Sequence, residues 1–237
     1  MTRKCLRVLN TLFILVYGIA CTKVFFKGTN INFGLVQYRN AVDISKQKTM
    51  SHCMILCKRN IKCMTFFYNA KTGECVLHSK TFKYNQPELN SGNWKMYLFE
   101  VADTRCVSNA SGFLYYRSLD LCYNFNAEHY IDYTGHFLPT CASYGAELLR
   151  IESQDRQTYV EHILEGRPTT RVAIQGRSES PGFVWTLFDG SPLSYTNWRL
   201  PGPLTGDYYV QIFEEDQWTE QRNFNVDKDA IFLCEIR

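Results

Sequence analysis

DGSPLSYTNWRLPGPLTGD, residues Asp189–Asp207, is the stretch on which the reading of this chain turns. Acidic side chains stand at its two ends, while Gly202 and Leu204 near its middle carry no side-chain oxygen. Tyr195 and Trp198 lie inside it, and Tyr208 and Tyr209 follow it directly. Tyrosine joins an apolar body to a polar tip, so these rings can stack on a ligand or meet another protein. Packing among themselves is the equal alternative on sequence grounds.

Outward from this stretch the pattern becomes specific. Cys106–Phe125, CVSNASGFLYYRSLDLCYNF, reads as a Cys-closed hairpin. In Cys141–Leu164, CASYGAELLRIESQDRQTYVEHIL, Ser153 suits an N-cap, and Tyr159, Val160, Ile163 and Leu164 recur at helical spacing. VAIQGR (172–177), GFVWTLF (182–188), DQWTE (216–220) and AIFLCE (230–235) complete the series. The series, above all DGSPLSYTNW followed by FLCE, resembles the C-type lectin-like domain over residues 104–237. The resemblance implies an α+β fold of two helices and two small antiparallel sheets, in the long form marked by Cys106–Cys122, with Cys141 bonded to Cys234. It also implies that Trp185, Trp198 and Trp218 are core residues rather than sugar platforms.

The departures from that pattern bear on function. Sugar-binding relatives hold calcium with a Glu-Pro-Asn or Gln-Pro-Asp triplet, a nearby acidic residue and a Trp-Asn-Asp triplet. Here the first triplet is Gly202, Pro203, Leu204 and the last is Trp218, Thr219, Glu220. Calcium takes six to eight oxygen ligands, several of them carboxylates. Only Asp207 and Glu220 survive as carboxylates, Glu220 is one methylene longer than the usual residue, and the loop between Pro203 and Asp207 is short. The family's Gly202–Pro203 counterpart is cis, which a Gly-Pro bond adopts at modest cost. The cysteines of a further family bridge are expected near Tyr209 and Asn223 and are both absent, so no thiol is orphaned and the loops lose a constraint. Pro139 falls where the first helix should run and predicts a late start or a bend.

An earlier segment has a different character. KTMSHCMILCKRNIKC (48–63) places Met50, Cys53, Met54 and Cys57 at helical spacing, with Lys58 and Arg59 at the end where cations suit the helix dipole. Cys53 and Cys57 share a face, but their β-carbons are roughly 6 Å apart, too far for a disulfide. CMTFFYN (63–69), AKTGE (70–74) and CVLHSKTF (75–82) read as strand, turn and strand, and WKMYLFE (94–100) as a strand that closes the sheet. Helix and Cys-flanked hairpin together resemble the PAN/apple domain over residues 36–100, in its smaller variant. That resemblance implies the pairs Cys53–Cys75 and Cys57–Cys63. Lys46, Lys48, Lys58, Arg59, Lys62, Lys80 and Lys83 make this segment basic. They read either as a patch for an anionic polysaccharide or, the preferred reading because clustering in sequence need not be clustering in space, as a solvated face around a small core.

The chain has 237 residues, which suits one large or two small domains. Residues 36–100 hold 10 Lys and Arg against 4 Asp and Glu, and residues 101–237 hold 11 against 19. A total near neutrality therefore joins a basic unit to an acidic one. The start, MTRKCLR then VLNTLFILVYGIA and small residues to Cys21, has the order of a signal peptide over 1–21. Its apolar run of 13 residues is short of the roughly 20 that cross a bilayer, which disfavours an anchor. Eight further cysteines form an even set in an exported chain, and no CxxC pair favours zinc. Asn109 in NAS is the one glycosylation sequon.

No GxSxG, HExxH or catalytic cysteine pattern occurs, and His129, His136 and His162 lack metal-ligand spacing. Glu152 and Asp155 lie at a helix start, where acids suit the dipole. The sequence thus predicts a secreted, extracellular recognition protein and not an enzyme, with no cofactor, no nucleic-acid partner and no membrane span. Its ligand is expected to be a protein or glycan, bound without calcium between Tyr195 and Glu220. A calcium-dependent lectin with a rebuilt site, and a structural matrix component, are the alternatives.

Overall fold

The structure, a computed structural model, describes residues 24–27, 40–82, 93–99, 106, 112–167, 171–179, 184–204, 206–225 and 228–237. The expected signal peptide, Lys83 and Asn109 lie outside them.

The first unit is a five-stranded antiparallel sheet carrying one helix. Its strands are β1 (Val24–Lys27), β2 (Asp43–Lys46), β3 (Thr65–Asn69), β4 (Glu74–His78) and β5 (Trp94–Phe99), in the order β1-β5-β3-β4-β2. The edge strand β1 precedes residue 36, where sequence reading places the start of this unit. β3 is central, and all five of its residues are buried. Alternation sends Phe66 and Tyr68 toward helix α1 (Met50–Arg59), and Phe67 toward a small opposite cluster with Val76, Phe82 and Trp94. Thr49 caps α1 by accepting the His52 N–H at 3.3 Å. Cys53 is bonded to Cys75 and Cys57 to Cys63, so the helix is tied to the sheet and to its own exit loop.

The second unit is built on one long sheet. Its path runs β13 (Trp218–Gln221), β12 (Tyr208–Ile212), β10 (Val172–Glu179), β15 (Ala230–Ile236), β7 (Leu121–Glu128) and β6 (Leu114–Tyr116). β11 (Val184–Thr186) and β9 (Glu147–Leu148) attach to β10 and β15. β14 (Phe224–Asn225) pairs separately with β8 (Ile131–Asp132). The resemblance implies antiparallel sheets; β10 and β15 are instead parallel at Val172–Ala173 against Ile231–Phe232. The disulfide Cys141–Cys234 closes a loop of 93 residues, a constraint worth about 4–5 kcal/mol in the chain-entropy account. A fourth bridge joins Cys106 to Cys122.

Pro139 shapes the first helix of this unit. A π-helical turn, Tyr133–Phe137, runs directly into a short α2 (Leu138–Ser143), and Pro139, which has no N–H to donate to that preceding turn, stands in the first turn of α2. The second helix, α3 (Gln154–Leu164), starts at Ser153, whose hydroxyl accepts the Arg156 N–H at 3.3 Å. Tyr159, Val160, Ile163 and Leu164 face the core, as does Gln157, a polar residue that the apolar stripe does not announce.

The two units meet through specific contacts. Met64, at the threshold of β3, is buried in the same cluster as Tyr116, Leu121 and Tyr159 of the second unit. Arg117 Nη1 donates to the Lys58 carbonyl at 2.7 Å, and Nη2 to the carbonyls of Cys57 at 3.0 Å, Asn60, and Cys63 at 3.4 Å. The last carbonyls of a helix have no partner within it. Here a guanidinium from the other unit supplies one, and its ring-ward face lies 5.2 Å from the Phe99 centroid. Lys80 also pairs with Glu165 across the two units, and Ser79 Oγ lies 3.1 Å from His162 Nε2. Lys80 is only 5 % exposed. It therefore leaves the set of surface cations in which its sequence neighbours place it.

Candidate functional site

The loop from Asp189 to Asp207 is fastened along most of its length. Asp189 Oδ1 accepts the N–H of Ser191 at 2.9 Å and its hydroxyl at 2.6 Å, and Oδ2 accepts Arg150 Nη1 at 2.7 Å. Those Ser191 bonds, then the Arg150 guanidinium, hold the Asp189 carboxyl well below the usual carboxylate range. Tyr195 packs edge-on to Trp218 at 5.7 Å, and its hydroxyl donates to Gln154 at 2.9 Å. Of the two roles open to Tyr195, local packing is thus occupied. Trp198 bridges to Trp218 through the backbone and packs at 4.6 Å on Trp185. Trp218 itself is 1 % exposed, its indole N–H donating to Gln157 Oε1 at 2.8 Å.

Gln157 is the residue that composition and spacing leave unremarked. It is fully buried, and its amide also donates to the Asp216 carbonyl at 2.9 Å and to Glu161 at 2.7 Å. One side chain on α3 therefore orients both the Trp218 ring and the turn before β13. A buried amide must find partners, and a Gln inside an apolar stripe is the signal by which it could be found.

The short loop beyond Trp198 decides the metal chemistry. Gly202–Pro203 is cis, as is Leu200–Pro201. The Glu220 carboxylate, one of the two surviving candidates for a cation, accepts the Leu204 N–H. Its Oε1 occupies the space beside Gly202, 2.8 Å from where a β-carbon would stand. Thr219 Oγ1 accepts from Gln211 at 3.1 Å. Asp207 is exposed at the far side of Gly206, whose φ of +153° and closeness to the Tyr208 ring exclude a side chain. Among the described residues, no three His, Cys, Asp or Glu side chains gather as a metal site. The better placed of the two carboxylates is thus engaged by the backbone of the loop.

Tyr208 and Tyr209 part company on β12. Tyr209 stacks on Tyr133 with centroids 4.4 Å apart and planes 22° apart, while Tyr208 lies against Gly206. Asn223 accepts the Thr134 N–H at 3.0 Å and donates to its hydroxyl at 2.8 Å, so these loops are held by hydrogen bonds rather than a bridge.

The basic residues of the first unit divide into two groups. Lys46, Lys48 and Lys71 line one concavity of about 370 Å³ between the β2–α1 loop and the β3–β4 turn. Lys58, Arg59 and Lys62 are exposed at the other end of α1, about 15 Å away along a helix of 10 residues.

Residues 30–102 match the family model of the PAN domain. An 85-residue stretch is 33% identical to C-type mannose receptor 2 of Mus musculus and, equally, of Homo sapiens, covering 35% of this chain and 6% of those proteins. The chain thus spans a small part of the length of these relatives. Solved structures similar to it include the mouse scavenger receptor C-type lectin carbohydrate-recognition domain, at 25% identity and a TM-score of 0.40 over 49% of this chain and 87% of that one. Another is the Ca2+-independent C-type lectin SPL-2 of Saxidomus purpuratus, at 21% identity and a TM-score of 0.46 over 54% and 92%. Residues 30–102 thus match a PAN domain model, solved structures similar to the chain include C-type lectin domains, and the likeness to mannose receptor 2 is partial.

Proposed function

We propose that this chain is an extracellular recognition protein: a signal peptide over 1–21, a PAN domain over about 36–100 and a C-type lectin-like domain over 104–237. It binds a protein or glycan without calcium, through the surface formed by Tyr195, Gly202, Pro203, Leu204, Asp207, Tyr208, Tyr209 and Glu220. The observation that carries this reading is the engagement of Glu220 by the Leu204 N–H, with its oxygen in the space beside Gly202. A carboxylate used in this way has to leave its partner before it can ligate a cation, and the residues around it offer too few oxygens to repay the loss. Oxidised cysteines in all four pairs suit an exported protein. No helix among the described residues is long and apolar enough to cross a membrane.

A glycan array run with calcium and with EDTA tests the proposal. Binding that survives EDTA is the expected result. Sugar binding that EDTA abolishes, and that Asp207→Ala also abolishes, would overturn it in favour of a rebuilt calcium-dependent site.

A further inference from the structure

Two segments far apart in the chain meet at the seam between the units. Ser79 and Lys80 follow β4 of the first unit, while His162 lies in the last turn of α3 and Glu165 caps it. Ser79 Oγ lies 3.1 Å from His162 Nε2, and Lys80 pairs with Glu165. Lys80 is 5% exposed, and its ammonium stands 5.0 Å from the centroid of the Phe82 ring. The seam thus brings an imidazole, which gains charge near neutral pH, within reach of an ammonium that water barely touches.

The other ionisable groups near this contact have partners of their own. Glu161 accepts from Gln157 at 2.7 Å, and Arg167 pairs with Asp216 at 2.8 Å. The Tyr159 hydroxyl, one turn before His162, lies 3.0 Å from that of Tyr123 in the core. His78 packs edge-on to Phe67 and Phe82. Among the described residues, Glu165 is therefore the carboxylate that acts on both His162 and Lys80. When the imidazole takes a proton, two cations share that one carboxylate in a seam largely closed to water, whereas in an open seam water screens them. Burial first, and then Lys80, hold His162 below its ordinary value in the closed seam, with Glu165 opposing. The open seam therefore binds the proton more readily. Closure is at full strength above the ordinary value and weakens as pH falls toward that of the closed seam.

We propose that the contact of Ser79 and Lys80 with His162 and Glu165 is an acid-sensitive latch, which is shut at neutral pH and released in mild acid. Arg117 keeps its charge throughout, so its clasp on α1 is unaffected and the release is local to this contact. What the second unit binds does not enter the inference.

Hydrogen exchange of the whole chain at about pH 7.5 and about pH 5.5, with rates corrected for the intrinsic effect of pH, tests it. Residues 78–82 and 162–167 should be less protected than β10 and β15 at both values, which marks a local opening, and should lose protection about threefold in acid. His162→Gln, neutral throughout and able to keep the Ser79 hydrogen bond, should abolish the acid response. Lys80→Met should shrink it, because the protonated imidazole then has Glu165 to itself. Protection equal to that of β10 and β15, which would mean that the seam opens only when the chain unfolds, overturns the inference. So does the absence of an acid response, or one that persists in His162→Gln, as titration of His78 would give. If His162→Gln does not fold, Lys80→Met decides: an undiminished response to acid overturns the latch.

Discussion

Oε1 of Glu220 stands 2.8 Å from the position a β-carbon on Gly202 would take, and it accepts the N–H of Leu204. The glycine and the long carboxylate are complementary: the first leaves a space that the second fills. Restoring the donors of a calcium site therefore requires changing both together. We predict that wild-type protein gives no calcium-binding heat at millimolar concentration. The combined variant Gly202→Glu, Leu204→Asn, Thr219→Asn, Glu220→Asp should gain it, because it supplies side-chain oxygens and retracts the blocking carboxylate. Isothermal titration decides; a calcium signal from the wild type would refute the assignment of Glu220 to the loop.

Gly202→Ala alone should destabilise the chain by about 1 kcal/mol. The new methyl displaces Glu220 and costs the Leu204 hydrogen bond, while the Arg199 carbonyl, 3.1 Å from the added carbon, resists relaxation. Urea unfolding measures this, and Glu220→Asp should recover part of the loss in the same background. Failure to recover it would mean that the strain lies in the backbone.

Arg117→Ala should cost about 2 kcal/mol, because the carbonyls of Cys57, Lys58 and Asn60 lose a charged donor at a helix end. Arg117→Lys should restore little of it, since a single ammonium cannot fork across several carbonyls. Hydrogen exchange provides the second readout: the α1 exit and the Arg117 turn should both open faster in the alanine variant. Faster exchange at the turn alone would show that the contact does not join the units.

Stability should also fall with acidity below about pH 6.5. Burial first, then Lys80, lowers the His162 pKa from its ordinary 6.5, with Glu165 opposing. The unfolded chain then binds the proton more readily than the folded one, so stability is full above the ordinary value and is lost as pH falls toward the folded one. His162→Gln should flatten this part of the profile in thermal melts from pH 7.5 to 5. An unchanged slope would place the sensitivity elsewhere.

Retention on a heparin column separates the two lysine groups. Changing Lys46, Lys48 and Lys71 to Ala should lower the eluting salt more than changing Lys58, Arg59 and Lys62, although each variant removes three charges. The first three share one concavity and act on the same stretch of polyanion. Equal losses would mean that only net charge matters.

What could be read from the residues follows how far each signal reaches along the chain. The cap at Ser153 and the stripe Tyr159, Val160, Ile163, Leu164 are local, set by a period of 3.6, and appear in α3. The irregular first helix, a π-helical turn running into a short α2 around Pro139, is a local effect of a residue that has no N–H. Lys80 and Arg117 were not legible, because their partners lie 85 residues away for the first and 54 to 60 for the second. A charge pattern cannot distinguish a lysine in water from one folded back on a distant glutamate. The empty donor positions at Gly202 and Leu204 could be read directly, but the use made of Glu220 could not, since it depends on a turn bringing residue 204 back to residue 220.

The guanidinium wedged into the end of α1 has one more consequence. Two recognition modules on a slack tether search for their targets separately, whereas two that are clasped present their faces at a set angle and span. A target carrying both a polyanionic segment and an epitope for the second module would be gauged by its geometry as well as its chemistry, as a calliper tests width.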